Sequence, residues 1–269
     1  MEKFLIITDL DASLLWHDYT YEEAKPTLQK LASHDIPVIL NSSKTLSELT
    51  SLARELQSTA PVIAENGGAV CIHKDSPLQK PENSTLSGDY FVINTGLSRN
   101  FVIEKAHALR SAHGYQFEGF ADWSAAKLSS VTKLSEEAAE RALDRHVTEP
   151  ILWDDSEEHF SIFTQQLAEN EIKIVRGGKF THLMGDVDKA NGAKIVIDLY
   201  RKSQPETNWT TVAIGDSEND LNMLNQADIP VVIPHDGEIR IKPDHPHTIY
   251  ATSEASKGWA ESVEQIIHF

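Results

Sequence analysis

The sequence predicts an α/β fold, with a Rossmann-like, doubly wound parallel sheet as its core and a second α/β domain inserted into it. Three observations predict it. Short apolar runs alternate with helical patterns over residues 1–75, which is typical of parallel strands joined by right-handed crossovers. The same alternation resumes after residue 187. Between them, a polar stretch with two prolines at 76–88 precedes a segment in which helices and strands follow another order.

The first half of the core follows from hydrophobic periodicity. A continuous run at 4–8 suggests a strand that is buried on both faces. Leu46, Leu49 and Leu56 recur at helical spacing, and Ser43 precedes them as the expected N-cap. The predicted elements are a strand at 4–8, a helix at 21–34, a strand at 37–40, a helix from Ser43 to about Leu56 and a strand at 61–64.

The other elements divide the chain into a core at 1–88 and 187–269 and an inserted domain at 89–186. In the insert we expect strands at 89–94, 148–153, 172–176 and 179–184, the last two joined by a Gly177-Gly178 turn, and helices at 99–112, 135–146 and 157–170. After it we expect a helix beginning at Lys189, strands at 210–214 and 229–233, and a final helix at 257–267.

Composition excludes several classes of protein. The net charge is −17, from 24 basic and 41 acidic residues, so neither nucleic acid nor an anionic membrane is expected as a partner. No apolar run reaches the length of about 18 residues that a membrane span needs, and the start of the chain leaves no room for a signal peptide. Cys71 is the only cysteine, which favours a reducing compartment and a cytoplasmic protein. Nothing in the sequence indicates an oligomeric state.

Two acidic clusters follow predicted strands. Asp9 and Asp11 end the first strand, where side chains two residues apart share a face. Asp216 ends a later strand, and Asp220 lies four residues further on. Asp9 and Asp11 alone could equally be turn acids, but two such clusters indicate a site for a hard cation such as Mg²⁺. Three histidines at 235–247 are irregularly spaced, so this segment is interpreted as a loop rather than a metal site.

Four motifs occur in order along the chain. They are Asp9-Leu10-Asp11-Ala12-Ser13, Val38-Ile39-Leu40-Asn41-Ser42, Asp188-Lys189-Ala190-Asn191-Gly192 and Gly215-Asp216-Ser217-Glu218-Asn219-Asp220. Together they resemble the motifs of the haloacid dehalogenase superfamily of phosphotransferases, over nearly the whole chain. The resemblance implies Mg²⁺-dependent hydrolysis of a phosphomonoester through an aspartyl-phosphate.

The resemblance also implies roles for individual residues. Asp9 would be the nucleophile, and Asp11 would protonate the leaving group and then deprotonate the attacking water. Ser42 would donate its hydroxyl to the phosphate, although Ser43 is an equal candidate. Lys189 would balance the anionic charge, whereas outside this pattern a lysine that opens a helix is ordinarily solvated.

The metal ligands follow from the same resemblance. Mg²⁺ is expected on the Asp9 carboxylate, the Asp11 backbone carbonyl and Asp216. Asn219 and Asp220 are expected to hold these ligands in place.

The first motif departs from the family pattern Asp-x-Asp-Gly-Thr, because Ala12 and Ser13 occupy its last two positions. Serine keeps the hydroxyl. Alanine would be strained if the backbone needs a positive φ there, so we expect an active enzyme with altered loop geometry.

The position of the insert, after the third strand, resembles the Cof-type branch of the superfamily, with an α/β cap of the C2B type. Details at 42–45, 65–68, 177–183 and 257–259 further resemble the mannosyl-3-phosphoglycerate phosphatases. The substrate would then be a small phosphorylated sugar, mannosyl- or glucosyl-3-phosphoglycerate, between which the sequence does not discriminate.

Substrate-binding residues are implied on both domains. Lys44, Arg176 and Lys179 are expected to bind the carboxylate or phosphate. The subfamily often has arginine where Lys179 stands, which puts bidentate recognition in doubt. The turn after the third strand is also expected to bind the substrate, through Glu65, Asn66 and Gly67.

Three alternatives are left open. A broader sugar-phosphate phosphatase would act on sucrose-6-phosphate or hexose phosphates. A related phosphomutase would return the phosphoryl group to a second hydroxyl. A non-catalytic metabolite-binding protein would keep the fold but has no need for the four acidic and basic motif residues, which disfavours it.

Overall fold

The computed structural model describes residues 2–176 and 179–269, so the predicted Gly177-Gly178 turn lies outside the described residues. The strands within these ranges are β1 (Glu2–Thr8), β2 (Val38–Asn41), β3 (Val62–Ala64), β4 (Ala69–His73), β5 (Thr85–Ser87), β6 (Tyr90–Asn94), β7 (Phe117–Gly119), β8 (Glu149–Trp153), β9 (Lys173–Arg176), β10 (Thr181–Met184), β11 (Asn208–Gly215), β12 (Ile229–Val232) and β13 (Ile249–Tyr250). The α-helices there are α1 (Lys25–Ser33), α2 (Leu46–Glu55), α3 (Arg99–His113), α4 (Ala125–Thr132), α5 (Glu136–Leu143), α6 (Glu157–Ala168), α7 (Lys189–Ser203), α8 (Leu221–Gln226) and α9 (Ala255–Ile266). Of the helices in the described ranges, none has the length and apolar character that spanning a bilayer requires.

The large sheet is mixed. Its order is β13-β12-β11-β1-β2-β3-β4-β6-β5, and the strands from β13 to β3 are parallel. β4, β6 and β5 extend one side of it with antiparallel pairs. Central β1 pairs with β11 from Glu2 opposite Asn208 to Thr8 opposite Ile214. The predicted α/β core is therefore confirmed, with an antiparallel extension that the sequence pattern does not predict.

Helices cover both faces of this sheet. On one face, α1, α2 and α9 pack through buried side chains that include Leu31, Leu49 and Trp259. On the other, α7 and α8 pack through Val196 and Leu224. Successive residues of β1 point to opposite faces, so its continuous apolar run serves both layers. With both faces covered, polar side chains collect at the edge where the parallel strands end.

Residues 95–186 contain a second sheet, with the antiparallel order β7-β8-β10-β9. α3 and α6 pack on it through a core that includes Val102 and Phe163. α4 and α5 contribute to a separate apolar cluster around Phe120 and Trp123. The sequence predicts neither β7 nor α4, because three strand residues and two helical turns are too short for a periodic pattern.

The predicted start of the insert at residue 89 is too early. β6 pairs with β4 in the large sheet, from His73 opposite Tyr90 to Ala69 opposite Asn94. The polar stretch 76–88 connects these two strands and contains all of β5, so it is a connection within the large sheet rather than a link between two domains. A polar composition marks an exposed connection equally well in both cases. We therefore propose 95–186 as the cap, with the rest as the core.

Helix α2 begins later than predicted, because Thr45 rather than Ser43 is its N-cap. The Thr45 hydroxyl accepts the Glu48 N–H at 3.1 Å, and the Glu48 carboxylate accepts the Thr45 N–H at 2.9 Å. This capping box needs a glutamate or glutamine three residues after the cap, which Thr45 has and Ser43 does not.

Candidate active site at the carboxyl edge of the large sheet

Polar residues follow three strands of the large sheet and meet at one edge. Asp9 follows β1, Ser42 follows β2 and Asp216 follows β11, while Lys189 begins α7. Parallel strands bring their carboxyl ends to the same edge, so residues distant in sequence come together there. All four residues are at most 5% exposed.

Lys189 joins the first motif to the last. Its Nζ lies 2.5 Å from Asp9 Oδ1 and 2.6 Å from Asp220 Oδ1. The other Asp220 oxygen accepts the N–H groups of Asp216 at 3.1 Å and Ser217 at 3.2 Å. Asp220 therefore lies between the lysine and the backbone that carries Asp216, which is consistent with the supporting role expected of it.

The buried cluster carries an excess of negative charge. Burial raises the pKa of Asp9 well above its usual value; Lys189 opposes this, and the carboxylates of Asp220 and Asp216 add to it. Burial likewise raises the pKa of Asp216, and Asp220 contributes in the same direction. Burial alone would lower the pKa of Lys189, but Asp220 and Asp9 outweigh it, so that pKa is raised and the amine stays charged. One ammonium thus faces three carboxylates.

These residues fit a hard divalent cation. Carboxylate oxygens of Asp9, Asp216 and Asp220 lie within 4.8 Å of one another, and all three residues are buried. Buried like charges are costly unless a cation balances them. A set of oxygen donors is the kind that Mg²⁺ prefers.

Asp11 does not join this group. β1 ends at Thr8, so the alternation of side chains along a strand does not extend to Asp11. Its side chain is 49% exposed and its Oδ1 lies 3.0 Å from Lys44 Nζ. Burial alone would lower the pKa of Lys44, but Asp11 and Glu48 raise it above its usual value, so Lys44 is a charged partner for Asp11. The Asp11 carboxylate therefore faces the more open side of the site.

The loop after β1 is fixed by Ala12 and Ser13. The Ser13 hydroxyl donates to Asp216 Oδ1 at 3.3 Å, so it links the first motif to the last. Ala12 has a φ of 60°, in the left-handed region. This conformation costs a residue with a Cβ about 1 kcal/mol, so the strain expected for alanine at this position is present.

The two candidate serines have different surroundings. Ser42 is buried, and its Oγ accepts the Lys44 N–H at 3.3 Å. The Ser43 carbonyl accepts a hydrogen bond from Arg145 of the cap at 2.8 Å. Ser42 directly follows β2 at the same edge as Asp9, which favours it as the phosphate-binding hydroxyl.

Glu65 joins the core to the cap. Its Oε1 accepts the His146 N–H at 2.7 Å, and its Oε2 accepts the Thr148 N–H at 2.8 Å and hydroxyl at 2.7 Å. Burial alone would raise the pKa of Glu65, but the Arg145 guanidinium and the backbone N–H groups hold it below its usual value. The side chain is fully buried with both oxygens engaged, so its geometry does not fit the expected contact with a sugar hydroxyl.

Asn66 and Gly67 complete the turn after β3. Asn66 Oδ1 accepts a hydrogen bond from Asn219 at 3.2 Å, which ties the turn to the loop of the last motif. A Cβ on Gly67 would lie 1.8 Å from the Asp188 carbonyl, so only glycine allows this approach to the start of α7. The Gly67 carbonyl accepts the Thr95 hydroxyl at 2.6 Å, where the chain leaves for the cap. These contacts are structural, and substrate binding by Asn66 and Gly67 stays a prediction.

Arg176 and Lys179 lie at the surface of the cap. Arg176 donates to the Glu157 carboxylate at 2.7 Å, and its guanidinium lies 4.1 Å from the centre of the Phe160 ring. Lys179 donates to the Val131 carbonyl. Each of these partners belongs to the cap, so in the described contacts neither cation is brought to the carboxylate cluster.

Two further residues support the site in ways that the sequence analysis does not predict. Asn41 Nδ2 donates to the Lys189 carbonyl at 3.0 Å and so anchors the start of α7. Trp259 Nε1 donates to the Thr8 hydroxyl at 3.0 Å, which in turn donates to the Asp9 carbonyl at 2.7 Å. The sequence places Trp259 on the apolar side of the last helix, but a buried indole N–H also needs an acceptor.

His235 contacts the metal-site carboxylates from the loop after β12. Its Nδ1 lies 2.7 Å from Asp216 Oδ2. Ligand atoms of His17, His235 and Asp236 lie close enough together to hold a metal ion. Arg240, however, donates to Asp236 at 2.6 Å and contacts His235 at 2.8 Å, so a guanidinium already balances this group. The segment between β12 and β13 contains no helix or strand among the described elements, and its His235 contacts a predicted metal ligand.

His182 is a half-buried, uncharged group of the cap whose Nδ1 atom is inaccessible to solvent. It lies on β10, and its Nδ1 has no hydrogen-bond partner among the described residues. Burial lowers its pKa to about 4, and the nearby Arg145 acts in the same direction. The imidazole is therefore neutral at neutral pH.

The protein combines carboxylates at strand ends with a buried lysine and an inserted α/β cap. This arrangement is that of a hydrolase of the haloacid dehalogenase type. Residues 6–238 match the family of haloacid dehalogenase-like hydrolases, and the chain belongs to this family. Among curated relatives, a glucosyl-3-phosphoglycerate/mannosyl-3-phosphoglycerate phosphatase of Persephonella marina is 32% identical over 98% of this chain and 97% of its own. A protein of the same name from Methanococcoides burtonii is 34% identical over 86% of this chain and 85% of its own.

Solved structures share the fold at lower identity. A haloacid dehalogenase-like hydrolase from Bacteroides thetaiotaomicron is 17% identical, covers 98% of this chain and all of its own, and gives a TM-score of 0.68. The sucrose-phosphatase of Synechocystis is 13% identical, covers 98% of both chains and gives a TM-score of 0.59. At these identities the likeness establishes the fold alone.

Proposed function

We propose that this chain is a Mg²⁺-dependent phosphomonoester hydrolase that releases phosphate from mannosyl- or glucosyl-3-phosphoglycerate. The observation that carries the reaction is the buried cluster in which Lys189 contacts both Asp9 and Asp220 beside Asp216. The substrate is supported by similarity, along nearly the whole chain, to a relative with that name.

In the first proposed step, a carboxylate oxygen of Asp9 attacks phosphorus and the bond from phosphorus to the glycerate oxygen breaks. Asp11 gives its proton to the departing oxygen. The Asp9 backbone is held in place by β11 through the Ile214 carbonyl, at 2.9 Å from the Asp9 nitrogen. Loss of its proton leaves Asp11, whose side chain is half exposed, as the carboxylate that the second step needs.

In the second step, water attacks the phosphoryl group on Asp9, Asp11 accepts the proton of that water, and phosphate leaves with Asp9 restored. Ser42 would donate to a phosphate oxygen throughout, and Lys189 would balance the charge shared by Asp9 and the phosphoryl group. When bound by Asp9, Asp216 and the Asp11 carbonyl, Mg²⁺ would supply further positive charge at the phosphoryl oxygens.

Substrate anions would be bound near Lys44, whose side chain is 15% exposed and whose amine lies beside Asp11. Asn219 and Asp220 would hold the metal-site loop in position through the contacts described above. We propose a cytoplasmic location, supported by a single, buried cysteine, Cys71. The acidic net charge of −17 supports a small-molecule partner rather than nucleic acid or a membrane surface.

A phosphate-release panel tests the proposal. It compares mannosyl- and glucosyl-3-phosphoglycerate with sucrose-6-phosphate and simple hexose phosphates, each with Mg²⁺ and with a chelator. We expect the glycosyl phosphoglycerates to have the highest kcat/KM, by about tenfold or more, and chelation to abolish release until Mg²⁺ is restored.

Two outcomes would contradict the proposal. Higher kcat/KM on simple hexose phosphates would assign another substrate class. Formation of an isomerised sugar phosphate without release of phosphate would identify a mutase instead.

A further inference from the structure

The loop after the first motif presents an aromatic ring to solvent beside the proposed site. Tyr19 is 51% exposed. The loop that carries it is closed by hydrogen bonds from the Trp16 N–H to the Thr20 carbonyl and from the Tyr19 N–H to the Trp16 carbonyl, both 2.9 Å. Asp18 Oδ1 accepts the Thr20 N–H at 3.1 Å and hydroxyl at 2.6 Å. The backbone that carries the Tyr19 ring is therefore fixed by a short, hydrogen-bonded turn.

The backbone at Tyr19 is in an unfavourable conformation. Its φ is 66°, in the left-handed region that glycine or asparagine occupies most easily. Such a conformation persists only when surrounding contacts enforce it, and here the closed turn from Trp16 to Thr20 provides them.

Tyr19 is connected to the proposed general acid through one side chain. Lys44 Nζ lies 4.6 Å from the centre of the Tyr19 ring and 3.0 Å from Asp11 Oδ1. The ring face, which carries partial negative charge, attracts the ammonium. Because Asp11 would protonate the departing glycerate oxygen, the side of the site next to Lys44 and Tyr19 is where the non-phosphate part of the substrate would lie.

We propose that Tyr19 is a specificity-determining residue that packs its ring against the hexose of the substrate. This inference rests on the proposed function. One face of a pyranose ring presents C–H groups, which match an aromatic face in shape and polarity, while the sugar hydroxyls stay free for polar contacts. Tyr19 is half exposed, and the Lys44 contact holds the orientation of its ring.

The test compares two substrates that differ only in the sugar. Steady-state kcat and KM are measured with mannosyl-3-phosphoglycerate and with 3-phosphoglycerate, which has the same phosphate and glycerate but no hexose. The variants are Tyr19→Ala and Tyr19→Phe. The matched control is Tyr250→Ala, because Tyr250 is also exposed, at 43%, but lies on β13, the edge strand of the large sheet.

We expect Tyr19→Ala to lower the ratio of the two kcat/KM values about tenfold, mainly through KM for the glycosylated substrate. Tyr19→Phe keeps the ring face and should keep the ratio, as should Tyr250→Ala. An unchanged ratio in Tyr19→Ala would overturn the inference. Equal losses in Tyr19→Phe and Tyr19→Ala would also overturn it, because they would assign the effect to the hydroxyl.

Failure of the proposed function has a different signature, since it is visible in the unmodified enzyme. If the unmodified chain does not prefer mannosyl- or glucosyl-3-phosphoglycerate over 3-phosphoglycerate, the proposed function is wrong and this inference falls with it. If the unmodified chain does prefer them and Tyr19→Ala prefers them equally, only the inference is wrong.

Discussion

The carboxyl edge of the large sheet and the surface of the cap hold their charged residues in different ways. At the sheet edge, Asp9, Asp216 and Lys189 are buried, and neighbouring elements hold each of them by hydrogen bonds. On the cap, Arg176 and Lys179 are exposed and bind partners within the cap. The comparison indicates that the proposed reactive groups are already in contact before substrate arrives. We propose that recognition depends instead on side chains such as Lys44, which lie where core and cap face each other.

The largest effect is expected at the buried edge. Asp9→Asn removes the nucleophile, because an amide does not form the acyl phosphate, and should lower kcat by about a thousandfold or more. Removing one of three buried carboxylates also relieves repulsion, so Tm should be unchanged or higher. Phosphate release and calorimetry measure the two quantities. Asp89→Asn, at an exposed residue paired with Lys74, is the matched control and should behave as the unmodified enzyme. An active Asp9→Asn enzyme would remove the nucleophile assignment.

The next effect concerns the junction of the two regions. Glu65→Gln places an amide against backbone N–H donors, and should lower the free energy of unfolding by about 2–3 kcal/mol and raise KM. Glu149 is its matched control, because it is also buried but binds Arg99 and the Ala121 N–H within the cap. Glu149→Gln should destabilise the protein without changing KM. Urea denaturation and steady-state kinetics measure both, and a KM change shared by the two variants would mean that Glu65 does not set the position of the cap.

A smaller effect is expected from His182, as a dependence of stability on pH. The unfolded chain binds a proton there near pH 6.5, whereas the native state stays neutral down to a pKa of about 4. Stability is therefore retained above pH 6.5 and falls as the pH decreases towards 4. Between pH 7 and pH 5 the loss should be about 2 kcal/mol, and His182→Gln should remove that part of it.

Urea denaturation of the unmodified protein and His182→Gln at the two pH values measures this difference. The matched control is His247→Gln, at an exposed histidine, which should keep the full pH dependence. If His182→Gln loses as much stability on acidification as the unmodified protein, the His182 imidazole is not the cause.

The smallest effect is expected on the cap surface. Arg176 is paired with Glu157 in an exposed contact, so Arg176→Ala should change kcat/KM by less than about twofold. Lys44→Ala, at the facing surface of the core, should raise KM by about tenfold. If Arg176→Ala raises KM as much as Lys44→Ala does, the cap must place Arg176 at the substrate in another conformation, and the contrast drawn above would fail.

The sheet edge could be predicted from the sequence because its geometry is set by strand order. Asp9 and Lys189 are 180 residues apart, yet each directly follows or begins a strongly patterned element. Once the strands are parallel, their ends must meet, so the contact needs no knowledge of loops. The roles expected of Lys189, Ser42 and Asp220 come instead from the resemblance to the family motifs. Strand order alone does not distinguish Ser42 from Ser43 or a buried lysine from a solvated one.

The junction with the cap could not be predicted, because it depends on how the insert folds back. Glu65 meets His146 across 81 residues, and nothing in the Glu-Asn-Gly-Gly turn distinguishes a carboxylate that binds backbone from one that binds sugar. The sequence pattern places β6 in the cap for a related reason. An apolar run of five residues has the same pattern in either sheet, and only its pairing with β4 decides where it belongs.

The turn after β3 has a consequence for engineering. It touches the chain at three places: where the chain leaves the core, through Thr95; where it returns, through Asp188; and at the cap loop, where a Cβ on Gly68 would lie 2.2 Å from Val147. Both connections between core and cap, and the cap loop at Val147, thus pack against this one turn. Asp188 is also the N-cap of α7, the helix that begins with Lys189. A cap grafted from a relative to change the accepted sugar would therefore need to bring this turn with it. A foreign cap on the native turn would displace Lys189 as well as the cap itself.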